Sequence, residues 1–225
     1  MLAASETWKT TYPEAAVGVL AMHNVVNPEH HPALESQAAE LARRLRSRFA
    51  GHDRAELRAL PTIQAYDAYY RRFRKTYHVL LQLESVVLKD QPISSVSALV
   101  EAMLMAELNS LLLTAGHDLG AVQEPIRIDV AEGCERYMRL NGKQQVLKAG
   151  DMFIADAQGI ISSIIYGPDR RTRLTPNTRQ VLFTTYAPPG VEKRTVHQHL
   201  QDIRENVLLF APEAETVSLS VCEAS

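Results

Sequence analysis

Several short polar segments follow apolar stretches of the chain, and their side chains could orient a ligand or activate a water molecule. A preformed pocket usually takes its few polar groups from positions where regular elements end. Each segment also has a plainer explanation, because Asn, Asp and Thr commonly satisfy backbone groups in turns and at helix ends. The segments are Asn109-Ser110, Gly116-His117-Asp118 as a predicted turn, Asp156, and the threonine-rich stretch from Thr172 to Thr178.

Nucleophilic catalysis has no clear candidate residue. The sequence lacks a Gly-x-Ser-x-Gly segment, and neither Cys134 nor Cys222 has a neighbouring His that would favour its thiolate. The phosphate-binding motifs Gly-x-x-x-x-Gly-Lys and Gly-x-Gly-x-x-Gly are both missing. The two cysteines form neither a disulfide framework nor a zinc-ligand pattern, so we expect a reducing compartment, most simply the cytoplasm.

The eight histidines raise the question of a metal site. His30 and His31 are adjacent, whereas His197 and His199 lie two residues apart on a predicted helix. This spacing directs the two side chains to different sides, so chelation by either pair needs ligands from elsewhere. We expect no bound metal and no cofactor. A metal-dependent hydrolase that uses these pairs or His23 is kept as an alternative.

Length and charge bound the class of protein. A chain of 225 residues with 46% hydrophobic positions can bury a sizeable core. Its 24 basic and 26 acidic residues give a formal charge of -2, so there is no global basic field to hold a polyanion. Contacts with nucleic acid must be local, and we expect no DNA partner. No apolar stretch approaches the roughly 20 residues that span a bilayer, so we expect no membrane partner.

The first half of the chain predicts one buried strand followed by helices. Apolar residues recur at intervals of three and four, and prolines stand where two of the helices begin. The last of these helices is leucine-rich and is interrupted by Asn109-Ser110. The predicted elements are a strand over 15–22 and helices from Pro32 to Gly51, from Pro61 onward, over 78–89, and from an N-cap at Ser94-Ser95 to about Gly116.

Two features of these helices could carry function. Glu107 lies at the edge of the leucine stripe, either as a rim carboxylate paired with a cation or as an acid with a shifted pKa. Arg71 and Arg72 follow two tyrosines on the helix after Pro61, a combination that can stack on unpaired bases. The plainer interpretation places these rings in the core and the cations at its rim.

Beyond Gly116 the apolar period changes to two. Short strands separated by turns dominate this half, including an Asn141-Gly142 turn, and one helix intervenes from about Glu192 to Phe210. A run of strands after a run of helices is typical of an α+β fold with a mostly antiparallel sheet and flanking helices. We predict a single domain over residues 1–225.

The order of these segments is itself informative. They are Tyr12 to Val19, Tyr69 to Phe73, Ser95 to Val100, Glu107-Leu108-Asn109-Ser110, His117-Asp118-Leu119, Leu140-Asn141-Gly142, Gly150 to Asp156 and Arg173 to Thr178. In order and spacing they resemble the B3/B4 domain of the phenylalanyl-tRNA synthetase β subunit, and more closely the free-standing B3/B4 proteins outside the synthetase. The core of the resemblance covers 12–188, with 192–222 as an extension.

This resemblance implies an editing function. In the synthetase the domain hydrolyses tyrosine wrongly esterified to the tRNA for phenylalanine, where affinity alone discriminates too little. A free-standing copy is therefore expected to be an aminoacyl-tRNA deacylase that edits mischarged tRNA in trans. Such hydrolysis needs a positioned water, donors for the oxyanion and a side-chain pocket, but no metal or protein nucleophile.

The resemblance also implies site residues and partners. Asn109 and Asp118 match an Asn and an Asp of the family pattern, and Asp156 matches an acidic segment at a strand end that borders the editing pocket. We expect tRNA or aminoacyl-tRNA as the partner, with a small amino acid as a further ligand. The candidates are His117, Asp156 and Asn109 for catalysis, Asp118, Glu107, Thr175 and Thr178 for substrate binding, and Arg71, Arg72, Arg170 and Arg171 for tRNA contact.

One alternative keeps the pocket without the chemistry. The stretch between Asn109 and Asp118 is shorter than in the bacterial synthetase, where an editing histidine lies just before that Asp. This difference favours a non-catalytic module that binds an amino acid, tRNA or other RNA.

Overall fold

The computed structural model describes residues 2–224 of the chain. These residues form seven helices and eleven strands. The helices are α1 (Glu6–Thr11), α2 (Pro32–Arg48), α3 (Arg54–Arg58), α4 (Pro61–Arg71), α5 (His78–Leu88), α6 (Ala98–Ser110) and α7 (Lys193–Leu208). The strands are β1 (Ala3–Ala4), β2 (Ala16–His23), β3 (Leu113–Asp118), β4 (Arg127–Val130), β5 (Arg136–Met138), β6 (Gln144–Val146), β7 (Met152–Asp156), β8 (Gly159–Ser163), β9 (Gly167–Pro168), β10 (Val181–Ala187) and β11 (Glu215–Glu223).

A four-stranded antiparallel sheet, in the order β11-β2-β10-β3, packs against α6 and α7. Gly18 of β2 lets α7 approach closely, because a Cβ there would lie 2.7 Å from Val196 Cγ1 and 3.1 Å from Leu200 Cδ1. All seven residues of β10 are buried. Strand β3 forms one edge of the sheet and places His117 opposite Leu182. This edge carries the candidate site.

A second sheet has the order β1-β4-β7-β8-β9 and is antiparallel except for the β1–β4 pair. Strands β5 and β6 form a separate hairpin. Tyr186 of β10 links the two large sheets, since its hydroxyl lies 2.7 Å from Ser162 Oγ on β8. Its carbonyl also accepts a hydrogen bond from the Tyr66 hydroxyl of α4. The predicted α+β fold with a mostly antiparallel sheet is confirmed.

The helix predictions after Pro32, after Pro61, over 78–89 and near Glu192 are confirmed, but the leucine-rich helix is shorter than predicted. It begins at Ala98 with Ser97 as its N-cap, so the assignment of the N-cap to Ser94-Ser95 is wrong. It ends at Ser110, because Leu111 adopts a left-handed conformation with φ of 64°. Asn109-Ser110 therefore close this helix and do not interrupt it.

The segment Gly116-His117-Asp118 is a strand and not the predicted turn. Gly116 allows close packing there, since a Cβ at this position would lie 2.9 Å from Leu174 Cδ1 and would displace the Leu174 side chain. The glycine therefore marks a point where the 169–178 loop crosses the sheet. This crossing brings polar side chains of the loop onto strand β3.

The aromatic residues of α4 belong to the core. Tyr66, Tyr69, Tyr70 and the following Phe73 are all buried, while Arg71 and Arg72 are exposed. The plainer interpretation of this helix, with rings in the core and cations at the rim, is confirmed. No helix within residues 2–224 is long and apolar enough to cross a membrane.

Candidate active site

The candidate site lies where the end of β3, the 169–178 loop and the end of β7 meet. His117, on β3, is completely buried. Its Nδ1 lies 2.8 Å from the hydroxyl oxygen of Thr172 in the loop. The Thr172 hydroxyl donates to Asp169 Oδ1, and the Thr172 backbone N–H donates to the same oxygen at 3.0 Å. Asp169, Thr172 and His117 thus form a chain of hydrogen bonds.

This chain fixes the tautomer of His117. The single hydroxyl proton of Thr172 goes to the Asp169 carboxylate, which can only accept. The Thr172 oxygen must therefore accept from His117 Nδ1–H, and Nε2 carries the imidazole lone pair. Nε2 is buried and has no hydrogen-bond partner among the described residues. The site therefore holds a nitrogen atom with an unused lone pair.

The charge state of His117 follows from its surroundings. Burial, together with the smaller effect of the positive charge of Arg171, lowers the pKa of the imidazole to about 3, although the Asp156 carboxylate acts in the opposite direction. The ring is therefore neutral at physiological pH. Neutral imidazole is the form in which a histidine can accept a proton as a general base.

Asp156 is a structural anchor of this region. Its carboxylate accepts the backbone N–H groups of Gln123, Gln158 and Gly159 and a 2.8 Å hydrogen bond from Arg171. Burial alone would raise the pKa of Asp156, but the hydrogen bonds from Gln123 and Arg171 outweigh burial and hold it below the ordinary value. The sequence correctly placed Asp156 at the end of the strand, and both carboxylate oxygens are occupied.

The other loop residues fasten the 169–178 loop to β3. Asp118 accepts a 2.8 Å hydrogen bond from the Thr178 hydroxyl, and its backbone N–H donates to Thr172 O at 2.7 Å. Thr178 Oγ1 in turn accepts the Thr175 backbone N–H at 2.9 Å. The structure thus brings His117, Asp118, Thr175 and Thr178 together, with Asp118 and the two threonines bonded to one another.

Asn109 and Glu107 are not part of this cluster. Asn109 is exposed at the end of α6 and donates a 2.9 Å hydrogen bond to Asp202 of α7. Glu107 is buried and accepts the backbone N–H of Thr114 at 2.7 Å. Burial raises the pKa of Glu107 to about 8. Glu107 is therefore a buried carboxyl group and not a rim carboxylate paired with a cation, and its role in substrate binding stays a prediction.

The four arginines proposed for tRNA contact differ in their surroundings. Arg71 forms an ion pair with Asp67, and Arg72 lies over three aromatic rings. Arg171 is largely internal, because it binds Asp156 and donates to Ala121 O at 2.7 Å. Arg170 is exposed, and no carboxylate in the described part of the chain forms an ion pair with it. Arg170 is thus the most available of the four for a phosphate.

The histidine pairs do not form a metal site within residues 2–224. His199 is fully buried, with Nδ1 2.8 Å from Ser110 Oγ and Nε2 2.6 Å from Thr114 Oγ1, whereas His197 is exposed. Burial lowers the pKa of His199 to about 3. The two side chains point to different sides of α7, as their spacing predicts, and His199 joins α7 to α6 and β3.

One close group of potential metal ligands occurs elsewhere in the described chain, on the surface. It consists of Glu132, Cys134 and Glu135. The Glu135 carboxylate already accepts the backbone N–H groups of residues 132, 133 and 134. Its role in the turn is therefore accounted for without a metal ion.

Sequence reasoning missed the role of Asp169. This residue is buried and holds Thr172 through two hydrogen bonds to one carboxylate oxygen. The spacing Asp-x-x-Thr between residues 169 and 172 is a local signal for a side chain that binds backbone further along the chain. The sequence carries no signal that this turn lies on His117.

Comparison with known protein families matches residues 65–205 to the B3/4 domain. The match covers more than half of the chain and includes the whole His117 cluster, so the chain belongs to the B3/4 domain family. The resemblance to the B3/B4 domain is confirmed by this match.

Among solved structures, the chain is similar to an N-terminal fragment of the phenylalanyl-tRNA synthetase β-subunit from Pyrococcus horikoshii. The TM-score is 0.48 at 11% identity, over 98% of this chain and 50% of the fragment. The chain therefore spans about half the length of that fragment. No curated protein matches the sequence.

Proposed function

We propose that this protein is an aminoacyl-tRNA deacylase that hydrolyses mischarged tRNA, with His117 as the general base. Membership of the B3/4 family supports this proposal, because the synthetase domain it resembles edits tRNA. The observation that carries it is the unpartnered Nε2 of His117, held in its tautomer by Thr172 and Asp169.

The lone pair on Nε2 is unusual in its surroundings. A buried acceptor without a partner costs about 1–3 kcal/mol, so native proteins rarely keep one without a use. The neighbouring acids are all bonded, since Asp156, Asp118 and Asp169 each accept several hydrogen bonds. In this cluster Nε2 is the polar atom that can still accept a hydrogen bond from a water molecule or a ligand.

The reaction can be written around this atom. His117 Nε2 removes a proton from a water molecule while the water oxygen attacks the ester carbonyl carbon. The C–O bond to the terminal ribose then breaks, and the proton passes from His117 to the ribose oxygen. The products are the free amino acid and the uncharged tRNA. No protein nucleophile or metal takes part.

We infer that access to His117 requires movement of the 169–178 loop. His117 has no exposed surface, Thr172 of the loop contacts its Nδ1, and the loop is fastened to β3 by the bond between Thr178 and Asp118. Arg170 and Arg173 lie on the outer side of this loop and are exposed. A tRNA phosphate held by these cations would be bound directly over the covering segment, which would couple tRNA binding to opening.

The test is a panel of charged tRNAs incubated with the purified protein. The panel begins with tyrosine on the tRNA for phenylalanine and includes correctly charged and D-aminoacyl esters. We expect loss of at least one ester well above its spontaneous rate, with the correctly charged tRNA spared. Spontaneous rates across the whole panel would overturn the proposal.

A second function is favoured by one specific observation. Asp156, Asp118 and Arg171 are engaged in bonds that hold the fold, and Asn109 lies apart on the surface. His117 is thus left without a second free polar group in the cluster, which suits a module that binds an amino acid or RNA without hydrolysis. A ligand that raises the melting temperature of the protein and is not turned over would select this function.

A further inference from the structure

A second candidate site surrounds Arg72, at the end of α4. Its guanidinium carbon lies 5.2 Å from the ring centroid of Tyr12 and 5.8 Å from those of Tyr69 and Phe73. Within residues 2–224 no carboxylate forms an ion pair with Arg72, although its neighbour Arg71 is paired with Asp67. Arg72 is therefore an exposed cation that lies against aromatic rings and is not paired with a carboxylate.

The cation faces a cleft of about 280 Å³. Tyr12 and Tyr69 contribute to the lining beside Arg72, and Pro188 and Pro189 stand in the loop after β10. The cleft has no acidic residue in its lining. An anion that enters the cleft is therefore attracted by Arg72, and no acidic side chain in the lining repels it.

The shape of this site favours a planar ligand with a phosphate. A guanidinium beside aromatic rings can also stack on a base, and its N–H groups can bind a phosphate. The prolines and Ala65 supply flat apolar walls. A cleft near the lower limit of about 300 Å³ for small-molecule sites can hold one nucleotide but not several.

We propose that the Arg72 cleft binds a 5′-phosphorylated nucleoside, with the phosphate on the guanidinium edge and the base stacked in the cleft. The same chemistry has two sources: a free nucleotide, or one nucleotide within an RNA strand. Only the second source rests on the proposed function. The cleft is distinct from the His117 cluster, since none of its lining residues belongs to that cluster.

The test measures binding to the full chain by calorimetry, with no deacylation involved. The probes are adenosine 5′-monophosphate, inorganic phosphate and the trinucleotide CCA. The variants are Arg72→Gln, Arg72→Lys and, as a matched control, Arg74→Gln, which removes the same charge two residues away. We expect adenosine monophosphate to bind at least about tenfold more tightly than phosphate, a difference equal to one stacked base.

Arg72→Gln is expected to weaken nucleotide binding by about tenfold or more, Arg72→Lys to reduce it toward the affinity for phosphate, and Arg74→Gln to leave it within about twofold. Tighter binding of CCA than of the monophosphate identifies RNA as the source, and equal binding identifies a free nucleotide; both support the site. Equal affinity for phosphate and nucleotide, equal loss in the Arg74 and Arg72 variants, or no binding at about 5 mM would overturn it. A protein that binds the nucleotide but releases no ester keeps this inference and loses the proposed function.

Discussion

The hydroxyl of Tyr69 donates a 2.9 Å hydrogen bond to Asp151 Oδ1 and so joins α4 to the start of β7 inside the core. The same hydroxyl oxygen accepts the backbone N–H of Met152 at 2.6 Å. Asp151 is completely buried, and burial raises its pKa to about 7, against the smaller opposing effects of hydrogen bonds from Tyr69 and Ser163. A carboxyl group in the core thus titrates near neutrality.

We predict that Asp151 makes the protein less stable as the pH rises from about 4 to about 7. In this range the unfolded chain releases the proton and the folded chain keeps it, so rising pH favours unfolding. The difference between a pKa of about 7 and the ordinary 3.8 corresponds to about 4 kcal/mol of unfolding free energy above pH 7. Asp151→Asn should remove this dependence, as measured by urea unfolding at several pH values.

The matched control for this prediction is Asp90→Asn, because Asp90 is an exposed carboxylate. It should leave the slope of stability against pH unchanged. An unfolding free energy of the Asp151 variant that falls with pH as steeply as that of the wild type would show that Asp151 does not titrate in this range.

We predict that Thr172→Val weakens the hydrogen bonding that holds His117, while the volume of the side chain at position 172 stays nearly the same. The change removes the hydroxyl that links Asp169 to His117 and leaves Nδ1–H and a carboxylate oxygen short of a partner. The cost should be about 1–3 kcal/mol of unfolding free energy. Nitrogen NMR of the imidazole should show the Nε2–H tautomer gaining population.

Thr184→Val is the control for this pair, since Thr184 is also buried but its hydroxyl makes only a 3.5 Å contact to Ala115 O. Its unfolding free energy should change by less than about 1 kcal/mol and the tautomer of His117 should stay as in the wild type. Equal effects of the two substitutions would remove the special role of Thr172.

We predict that replacing Asp156 mainly lowers the free energy of unfolding, and that this loss of stability precedes any direct effect on catalysis. Asp156→Asn breaks the ion pair with Arg171 and places an amide among three backbone N–H donors. Loss of one partner of such a buried pair costs about 3 kcal/mol. Because the pKa of Asp156 is lowered in the folded state, its contribution is fully present above the unfolded pKa and is lost as the pH falls through the lower folded-state pKa.

Urea unfolding of wild type and Asp156→Asn from pH 7 down to pH 3 checks this prediction. The two unfolding free energies should converge at the acidic end. A variant as stable as the wild type that has lost ester hydrolysis would instead make Asp156 a catalytic group.

We predict that Arg170 contributes to tRNA binding through one phosphate. Binding should weaken as salt is raised, and Arg170→Gln should reduce the slope of log affinity against log salt by about 0.7–0.9. Arg194→Gln, on the exposed face of α7 beside Glu192, should leave the slope unchanged. Filter binding between low and moderate salt measures both slopes. Identical slopes for all three proteins would place the tRNA elsewhere.

The sequence predicted the helices well because their signals are local. Pro32 and Pro61 stand at the first turn of α2 and α4, and the apolar spacing between them and the next breaks is regular. Position 116 shows the limit of such signals. A glycine there is typical of a turn, but the chain uses it because Leu174 packs against the strand from a loop far along the sequence.

The sequence predicted only part of the candidate site, because local spacing does not report long-range packing. His117, Asp118 and Thr178 were singled out because they lie at breaks in apolar segments, and the loop crossing brings them together. Asn109 lies at a similar break, but its side-chain amide binds Asp202 of α7, away from the His117 cluster. Long-range packing of this kind leaves no trace in local spacing.

In the proposed reaction, the unpartnered Nε2 of His117 removes a proton from the attacking water. The most direct test is the single-turnover rate of ester hydrolysis by His117→Gln on the best substrate of the panel, with Thr184→Val as a folded control. Loss of a general base slows such a step by about 10²–10⁴-fold. We therefore expect at least a hundredfold decrease in the hydrolysis rate, with an unchanged near-ultraviolet circular dichroism spectrum. Hydrolysis by folded His117→Gln at the wild-type rate would show that His117 is not the general base.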